Sequence, residues 1–181
     1  MEEMPPQMGK MKNLRKLLVF GVGKQDDGSS VKELNSLAIE HYEGTSFPKW
    51  LGESSFSKMV SIALSNCDYR FSLPPLGQLP DLKNLQINGF DAILSVGLEF
   101  YRNDSSMIKP FSALERLTFE NMPEWQEWVI FEGEVFSHLQ ELYIYSCPKL
   151  SGGMSNHLPS LTILDHLQEL YYTGKNTISK W

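Results

Sequence analysis

The residues most suggestive of phosphate chemistry are a small cluster of glycines and a lysine. Gly21 and Gly23 are separated by one residue, and Lys24 and Gln25 follow them directly. A loop that binds nucleotide phosphates needs four residues between its glycines in the pattern G-x-x-x-x-G-K, with Ser or Thr after the lysine. The cluster lacks both features, so it predicts a polar turn and not a nucleotide site.

Histidines and cysteines are the other side chains that could bind a metal or act as nucleophiles. The chain has four histidines and two cysteines, namely His41, His138, His157, His166, Cys67 and Cys147. None of them has the short spacing typical of zinc ligands, and the scattered carboxylates form no recognisable acid–base pair. We therefore expect no enzymatic activity, no bound metal and no cofactor.

Composition indicates a folded protein with protein partners. The 181 residues are 41% hydrophobic and 21% charged, and the formal net charge is −6. Lysine and arginine form no cluster that could follow a phosphate backbone, which disfavours nucleic acid as a ligand. No apolar run approaches the ~20 residues that cross a bilayer. The N-terminus also lacks the basic start and apolar core of a signal peptide, so we expect no membrane span and a cytoplasmic location.

The chain contains a repeated apolar pattern, L-x-x-L-x-L, in which the ninth position is commonly Asn or Cys. Seven units begin near Leu14, Leu34, Met59, Leu82, Leu114, Leu139 and Leu167. The last unit is degenerate, because Leu161 and Leu164 offer a competing register. Cys67 and Cys147 both fall at position nine of their units. This placement predicts reduced, buried thiols that contact the turning backbone.

The spacing within a unit predicts its structure. Positions four and six point to one side of a strand and position five points to the other, so each unit supplies a short strand with one apolar face. Stacked units bury these faces together under a parallel sheet. The proline-rich residues 73–80 predict irregular or 3-10 structure on the opposite side. We therefore expect residues 1–181 to form a single α/β-type repeat solenoid, the leucine-rich-repeat horseshoe, with parallel strands on its concave face.

Six short sequence segments resemble a particular protein family. The sequence resembles the repeat region of plant coiled-coil-type nucleotide-binding leucine-rich-repeat disease-resistance proteins over roughly residues 4–165, in segments 4–10, 41–52, 73–80, 96–101, 122–128 and 147–150. The resemblance implies a sensor whose repeats restrain a nucleotide-binding domain until a pathogen effector or a modified host protein is recognised. The sequence contains no coiled coil and no nucleotide-binding domain, so we expect a receptor fragment or a truncated gene product.

Strand positions three, five and seven point away from the core and predict the binding surface. This surface becomes aromatic and acidic towards the C-terminus, at Arg116, Thr118, Glu120, Glu141, Tyr143, Tyr145, Glu169 and Tyr171. Tyrosine is enriched in binding hot spots because it offers a large contact area at low entropic cost. The alternative interpretation is that tyrosines simply suit exposed strands.

Tryptophans outside the strands are better explained by burial. Trp125 and Trp128 follow the fifth unit, and Trp50 follows the second. Indoles left in water would forfeit substantial hydrophobic stabilisation, so we expect them to pack beneath the convex loops. The long interval between Leu82 and Leu114 includes the polar residues 103–106 and predicts a surface insertion.

These observations favour a protein-recognition module. The expected partner is a pathogen effector, a host target or the nucleotide-binding domain of a receptor. A non-signalling receptor remnant or a decoy is the alternative. A substrate-receptor subunit of a ubiquitin ligase would need an adaptor-binding segment, and residues 1–13 do not resemble one.

Overall fold

The computed structural model describes residues 14–21, 34–44, 47, 51–52, 58–67, 72–101, 109–129, 135–151, 171–173 and 177–179. In this part of the chain the strands are β1 (Leu14–Gly21), β2 (Leu34–Tyr42), β3 (Ser61–Ser65), β4 (Asn84–Asn88), β5 (Ser95–Val96), β6 (Arg116–Glu120), β7 (Glu127–Trp128), β8 (Glu141–Tyr145), β9 (Tyr171–Thr173) and β10 (Thr177–Ser179). No helix in the described ranges is long and apolar enough to cross a membrane.

The main sheet has six strands in the order β1-β2-β3-β4-β6-β8. From β2 to β8 every neighbouring pair is parallel. Equivalent repeat positions pair with one another, so that Leu64 is opposite Ile87, which in turn is opposite Phe119. The predicted parallel stacking and its register are confirmed for these strands.

The buried face of the sheet is a continuous apolar ladder. Leu64, Ile87 and Phe119 are fully buried, and Ile144 packs against the same core from its partly buried position in β8. The residues between them alternate to the exposed side, as the period of two in a strand requires. One strand could not bury its apolar face alone, so each repeat depends on its neighbours for stability.

The first strand departs from the repeat. β1 runs antiparallel to β2, with Leu17 opposite Ile39 and Val19 opposite Leu37. The prediction that the Leu14 unit stacks in parallel is therefore wrong. Residues 22–33 are the whole connection between the two strands, at the lower limit of the dozen or more residues that a parallel crossover requires. Antiparallel pairing needs no such return path, and it aligns the apolar positions equally well.

The C-terminal strands also differ from the prediction. β9 pairs antiparallel with β10, with Tyr172 opposite Ile178, and these two strands form a sheet of their own. Tyr171 was expected to continue the outward row formed by Tyr143, whereas the structure places it in this separate hairpin. Only three residues, 174–176, separate the two strands, and a parallel pairing would need a crossover of a dozen or more.

The side opposite the main sheet contains 3-10 turns and a small second sheet. The turns are Leu76–Gln78 and Leu98–Phe100, and the parallel strands β5 and β7 pair Val96 with Trp128. The first turn lies within the proline-rich residues 73–80, so the predicted 3-10 structure is confirmed there. Gly77 packs so closely that an added Cβ would lie 2.3 Å from the carbonyl oxygen of Tyr101.

An aromatic cluster fills the interior between the main sheet and these turns. Trp125 and Trp128 are fully buried, which confirms their predicted burial. The indole N–H of Trp125 donates to the carbonyl oxygen of Glu127 at 2.8 Å. Phe111 and Phe136, which precede successive repeats, stack with centroids 5.1 Å apart. Trp50 and the predicted insertion at 103–106 lie outside the described residues.

The two cysteines are free and buried. The Sγ of Cys67 contacts the carbonyl oxygen of Ser65 at 3.5 Å, and the Sγ of Cys147 contacts that of Tyr145 at 3.1 Å. Each thiol thus donates to the end of the strand that precedes it. The structural role predicted from their shared repeat position is confirmed.

Candidate functional site

The outward face of the main sheet changes from small to large side chains along the stack. β3 presents Ser61, Ala63 and Ser65, which are all half-buried. The next strands carry amides and then charged and aromatic side chains. Six of the predicted contact residues come together on the adjacent strands β6 and β8, and we call them the β6–β8 patch: Arg116, Thr118, Glu120, Glu141, Tyr143 and Tyr145.

Strand register sets the layout of the patch. Arg116 pairs with Glu141, Thr118 with Tyr143, and Glu120 with Tyr145. Neighbouring strands lie about 4.8 Å apart, so each pair is in side-chain contact range on the same face. All six residues are half-buried or exposed, in agreement with their predicted outward direction. Of the remaining predicted contact residues, Glu169 lies outside the described residues and Tyr171 lies in the β9–β10 hairpin.

An ion pair forms one end of the patch. The Nε of Arg116 donates to Oε2 of Glu141, and the hydroxyl of Tyr143 donates to the same oxygen at 3.1 Å. The guanidinium of Arg116 holds the pKa of the Glu141 carboxyl below its ordinary value, and the Tyr143 hydroxyl acts in the same direction. The two charges therefore largely neutralise each other.

A stacked tyrosine pair forms the centre of the patch. The rings of Tyr143 and Tyr145 lie 5.8 Å apart between centroids, with 24° between their planes. Burial raises the pKa of the Tyr143 phenol, and the hydrogen bond to Glu141 raises it further, so the phenol is neutral at physiological pH. Because that hydrogen bond and the stacking fix both rings, a partner would meet a preorganised surface.

A closed group of three polar side chains lies at the other end of the patch. The Nδ2 of Asn88 donates to Oε2 of Glu120 at 3.0 Å, and the Nδ2 of Asn121 lies 3.5 Å from Oε1. Asn121 also donates to Oδ1 of Asn88 at 3.2 Å, which completes the triangle. Position seven of the repeat predicted both Asn88 and Glu120 on the outward face, but only Glu120 was predicted as a contact residue, and Asn121 was not predicted on this face. The signal for both asparagines is the repeat alignment, since Asn88 and Glu120 share position seven and Asn121 follows at position eight.

A left-handed residue directly follows the parallel-paired residues of each strand from β2 to β8 in the main sheet. The residue at position eight has positive φ in five successive repeats: His41, Asn66, Gly89, Asn121 and Ser146. Asparagine and glycine tolerate this conformation well, and after β3, β4, β6 and β8 it turns the chain out of the sheet. Backbone bonding continues past the strand end, as in Gly89 N–H to the carbonyl oxygen of Glu120 at 3.0 Å. At the corner after β6, the side-chain amide of Asn121 lies 3.5 Å from Oε1 of Glu120 at position seven.

Comparison with known families agrees with the repeat architecture. Residues 29–90 match the family described as R13L1/DRL21 leucine-rich repeats. The chain is a leucine-rich-repeat protein. The match spans β2, β3 and β4, the strands in which the parallel register is first established.

The relatives of this leucine-rich-repeat protein are plant disease-resistance proteins. It is 44% identical over 140 residues to RPP13-like protein 1 of Arabidopsis thaliana, a candidate disease-resistance protein. The aligned region covers 74% of this chain and 13% of the relative. It is also 31% identical over 136 residues to disease resistance protein RGA2 of Solanum bulbocastanum. That aligned region covers 72% of this chain and 14% of the relative. The leucine-rich-repeat chain thus spans about an eighth of the length of these relatives. No solved structure matches it.

Proposed function

We propose that this chain is a protein-recognition module of the plant immune-receptor type and that the β6–β8 patch contacts its partner. The partner is a pathogen effector, a host protein or the nucleotide-binding domain of a receptor, and the module acts in the cytoplasm. The observation that carries the proposal is the stacked pair Tyr143 and Tyr145 on the outward face of a leucine-rich-repeat sheet.

Physical properties of the tyrosine pair support a binding role. Tyrosines combine a large apolar area with a polar edge, and the most important residues of protein interfaces are enriched in them. The pair is flanked by the Arg116–Glu141 ion pair on one side and by the Glu120 carboxylate on the other. An aromatic centre with a polar rim is the usual anatomy of a protein interface.

The bonding of the polar groups favours binding over catalysis. Arg116, Glu141 and Tyr143 bond to one another, so the phenol and the carboxylate at this end are already engaged. A catalytic base or nucleophile needs a partner arrangement that activates it for a substrate. We accordingly propose a module that needs no cofactor. A decoy that binds without signalling would use the same surface.

A binding experiment with the full chain tests the proposal. Candidate effectors, host proteins and receptor nucleotide-binding domains are screened, and affinities are measured for the wild type and for the double variant Tyr143→Ala/Tyr145→Ala. Loss of two hot-spot residues is expected to weaken binding about 30-fold or more. The control is Ser61→Ala/Ser65→Ala, which changes the same face at β3. Unchanged affinity of the tyrosine variant for a validated partner would overturn the proposal.

A further inference from the structure

Glu120 is bonded by side-chain amides, whereas three other carboxylates of the main sheet and its turns are bonded by cationic side chains. Three ion pairs are present within the described residues, and they join Lys83 to Glu115 at 2.7 Å, Arg116 to Glu141, and Lys149 to Glu124 at 2.6 Å. In that part of the chain Glu120 has amide partners and no cationic one. Its negative charge is therefore oriented by the protein without being neutralised.

The hydrogen bonds from the two asparagine side chains leave part of the Glu120 carboxylate available to a partner. A carboxylate offers about four lone-pair sites on its two oxygens. Asn88 uses one site on Oε2, and Asn121 lies near Oε1 at the longer distance of 3.5 Å. At least one site on each oxygen stays open to the half-buried outward face. Two such sites side by side match the two parallel N–H donors of a guanidinium.

A ring adjoins this carboxylate. Tyr145 pairs with Glu120 across the β6–β8 register, and its ring stacks on that of Tyr143. A planar guanidinium can lie on an aromatic face while it bonds to a carboxylate, whereas a lysine ammonium acts as a compact point charge. The arrangement therefore favours arginine over lysine.

We propose that the protein partner inserts an arginine side chain between Glu120 and Tyr145, with its guanidinium bonded to the Glu120 carboxylate and lying against the Tyr145 ring. This inference rests on the proposed function and names the chemistry of the partner segment. The charge on Glu120 selects a basic side chain, and the strand-end triangle with Asn88 and Asn121 keeps the carboxylate in place before binding. Preorganisation of this kind lowers the entropic cost of association.

A selection with random peptides in place of the partner tests the proposal. A phage library of 12-residue peptides is selected against the immobilised full chain, against Glu120→Gln and against the control Glu127→Gln. The affinities of the selected peptides are then also measured on the double variant Tyr143→Ala/Tyr145→Ala. Gln keeps the shape of Glu and can still accept from Asn88, so melting temperatures are expected to agree with that of the wild type. The control removes an exposed carboxylate in β7, away from the patch.

Arginine is expected to be enriched in peptides selected on the wild type and on Glu127→Gln, and not in peptides selected on Glu120→Gln. Replacing that arginine by neutral citrulline should weaken a selected peptide about five- to tenfold on the wild type and less than twofold on Glu120→Gln. Peptides that need Tyr143 and Tyr145 but show no enrichment of arginine would overturn this inference and leave the proposed function standing. Selected peptides whose binding is indifferent to both tyrosines would overturn both.

Discussion

The indole N–H of Trp128 donates a hydrogen bond of 2.9 Å to the phenol oxygen of Tyr101, and both side chains are fully buried. The two residues are 27 positions apart and lie in successive repeats, in the segments opposite the main sheet. Removing the phenol oxygen by Tyr101→Phe would leave the Trp128 donor without this partner inside the core. Burial of an unsatisfied donor costs about 1–3 kcal/mol.

We therefore expect Tyr101→Phe to lower the free energy of unfolding by about that amount, as measured by urea denaturation followed through tryptophan fluorescence. The matched control is Tyr143→Phe, which removes a hydroxyl from the half-buried outward face and should cost less than about 1 kcal/mol. An equal urea midpoint for Tyr101→Phe and the wild type would contradict this prediction.

Phe119 is the residue at which the apolar ladder meets the aromatic cluster. Its ring lies 4.7 Å from that of Trp125 and 5.3 Å from that of Trp128, measured between centroids. Phe119→Ala should destabilise the fold by about 3–5 kcal/mol, because it leaves a cavity that the fixed backbone cannot close. The neighbouring outward-facing variant Thr118→Ala should stay within about 0.5 kcal/mol. Chemical denaturation of both variants measures the loss in free energy of unfolding. Similar losses for the two variants would argue against a core position for Phe119.

Gly89 occupies the left-handed corner after β4 with a φ of 67°. An added Cβ would also lie 2.4 Å from Oδ1 of Asn66 in the preceding repeat. Gly89→Ala is therefore expected to cost about 1–2 kcal/mol in thermal or chemical unfolding. Gly97→Ala is the control, since the atoms nearest to its added Cβ would be those of the flexible Glu99 carboxylate. A Gly89→Ala protein as stable as the control would refute the strain at this corner.

The Arg116–Glu141 pair predicts a weak pH dependence. Arg116 lowers the pKa of Glu141 in the folded protein, so the pair stabilises the fold above the unfolded pKa of about 4.3. That stabilisation is lost as the pH falls through the folded pKa. Because Arg116 is exposed and Glu141 is only half-buried, we expect the contribution to be well under 1 kcal/mol.

A carboxyl NMR titration measures this effect directly. Arg116→Gln should raise the midpoint of Glu141 towards its ordinary value. Lys83→Gln, which breaks the separate Lys83–Glu115 pair, should leave that midpoint unchanged. If Glu141 titrates identically with and without Arg116, the ion pair does not form in solution.

The repeat pattern predicted the apolar ladder because the position of a residue within the repeat determines whether its side chain is buried. Leu64, Ile87 and Phe119 could be assigned to the core from spacing alone, since a strand face repeats every second residue. The same periodicity accounts for the wrong strand direction predicted for β1. Alternation with a period of two is the same in both chain directions, so Leu17 and Val19 predict a buried face without predicting the direction of the strand.

The candidate site was predictable only as a set of outward positions. Strand register brings Glu120 beside Tyr145, and the parallel prediction was sufficient for that. The bonds that hold Glu120 come from Asn88 and Asn121, whose role depends on the left-handed turn at position eight. Apolar spacing carries no information about such a turn. The pairing of Val96 with Trp128 was missed for a similar reason, because two-residue strands have no periodicity.

The reversed direction of β1 sets a boundary on how the stack could grow. A strand entering with the direction of β2 would meet an edge that offers it only antiparallel bonding. The parallel hydrogen bonding that runs from β2 through to β8 could continue beyond the outer edge of β2 (Leu34–Tyr42) only if β1 were not paired there. β1 thus occupies the edge of β2 at which a further parallel strand would have to pair.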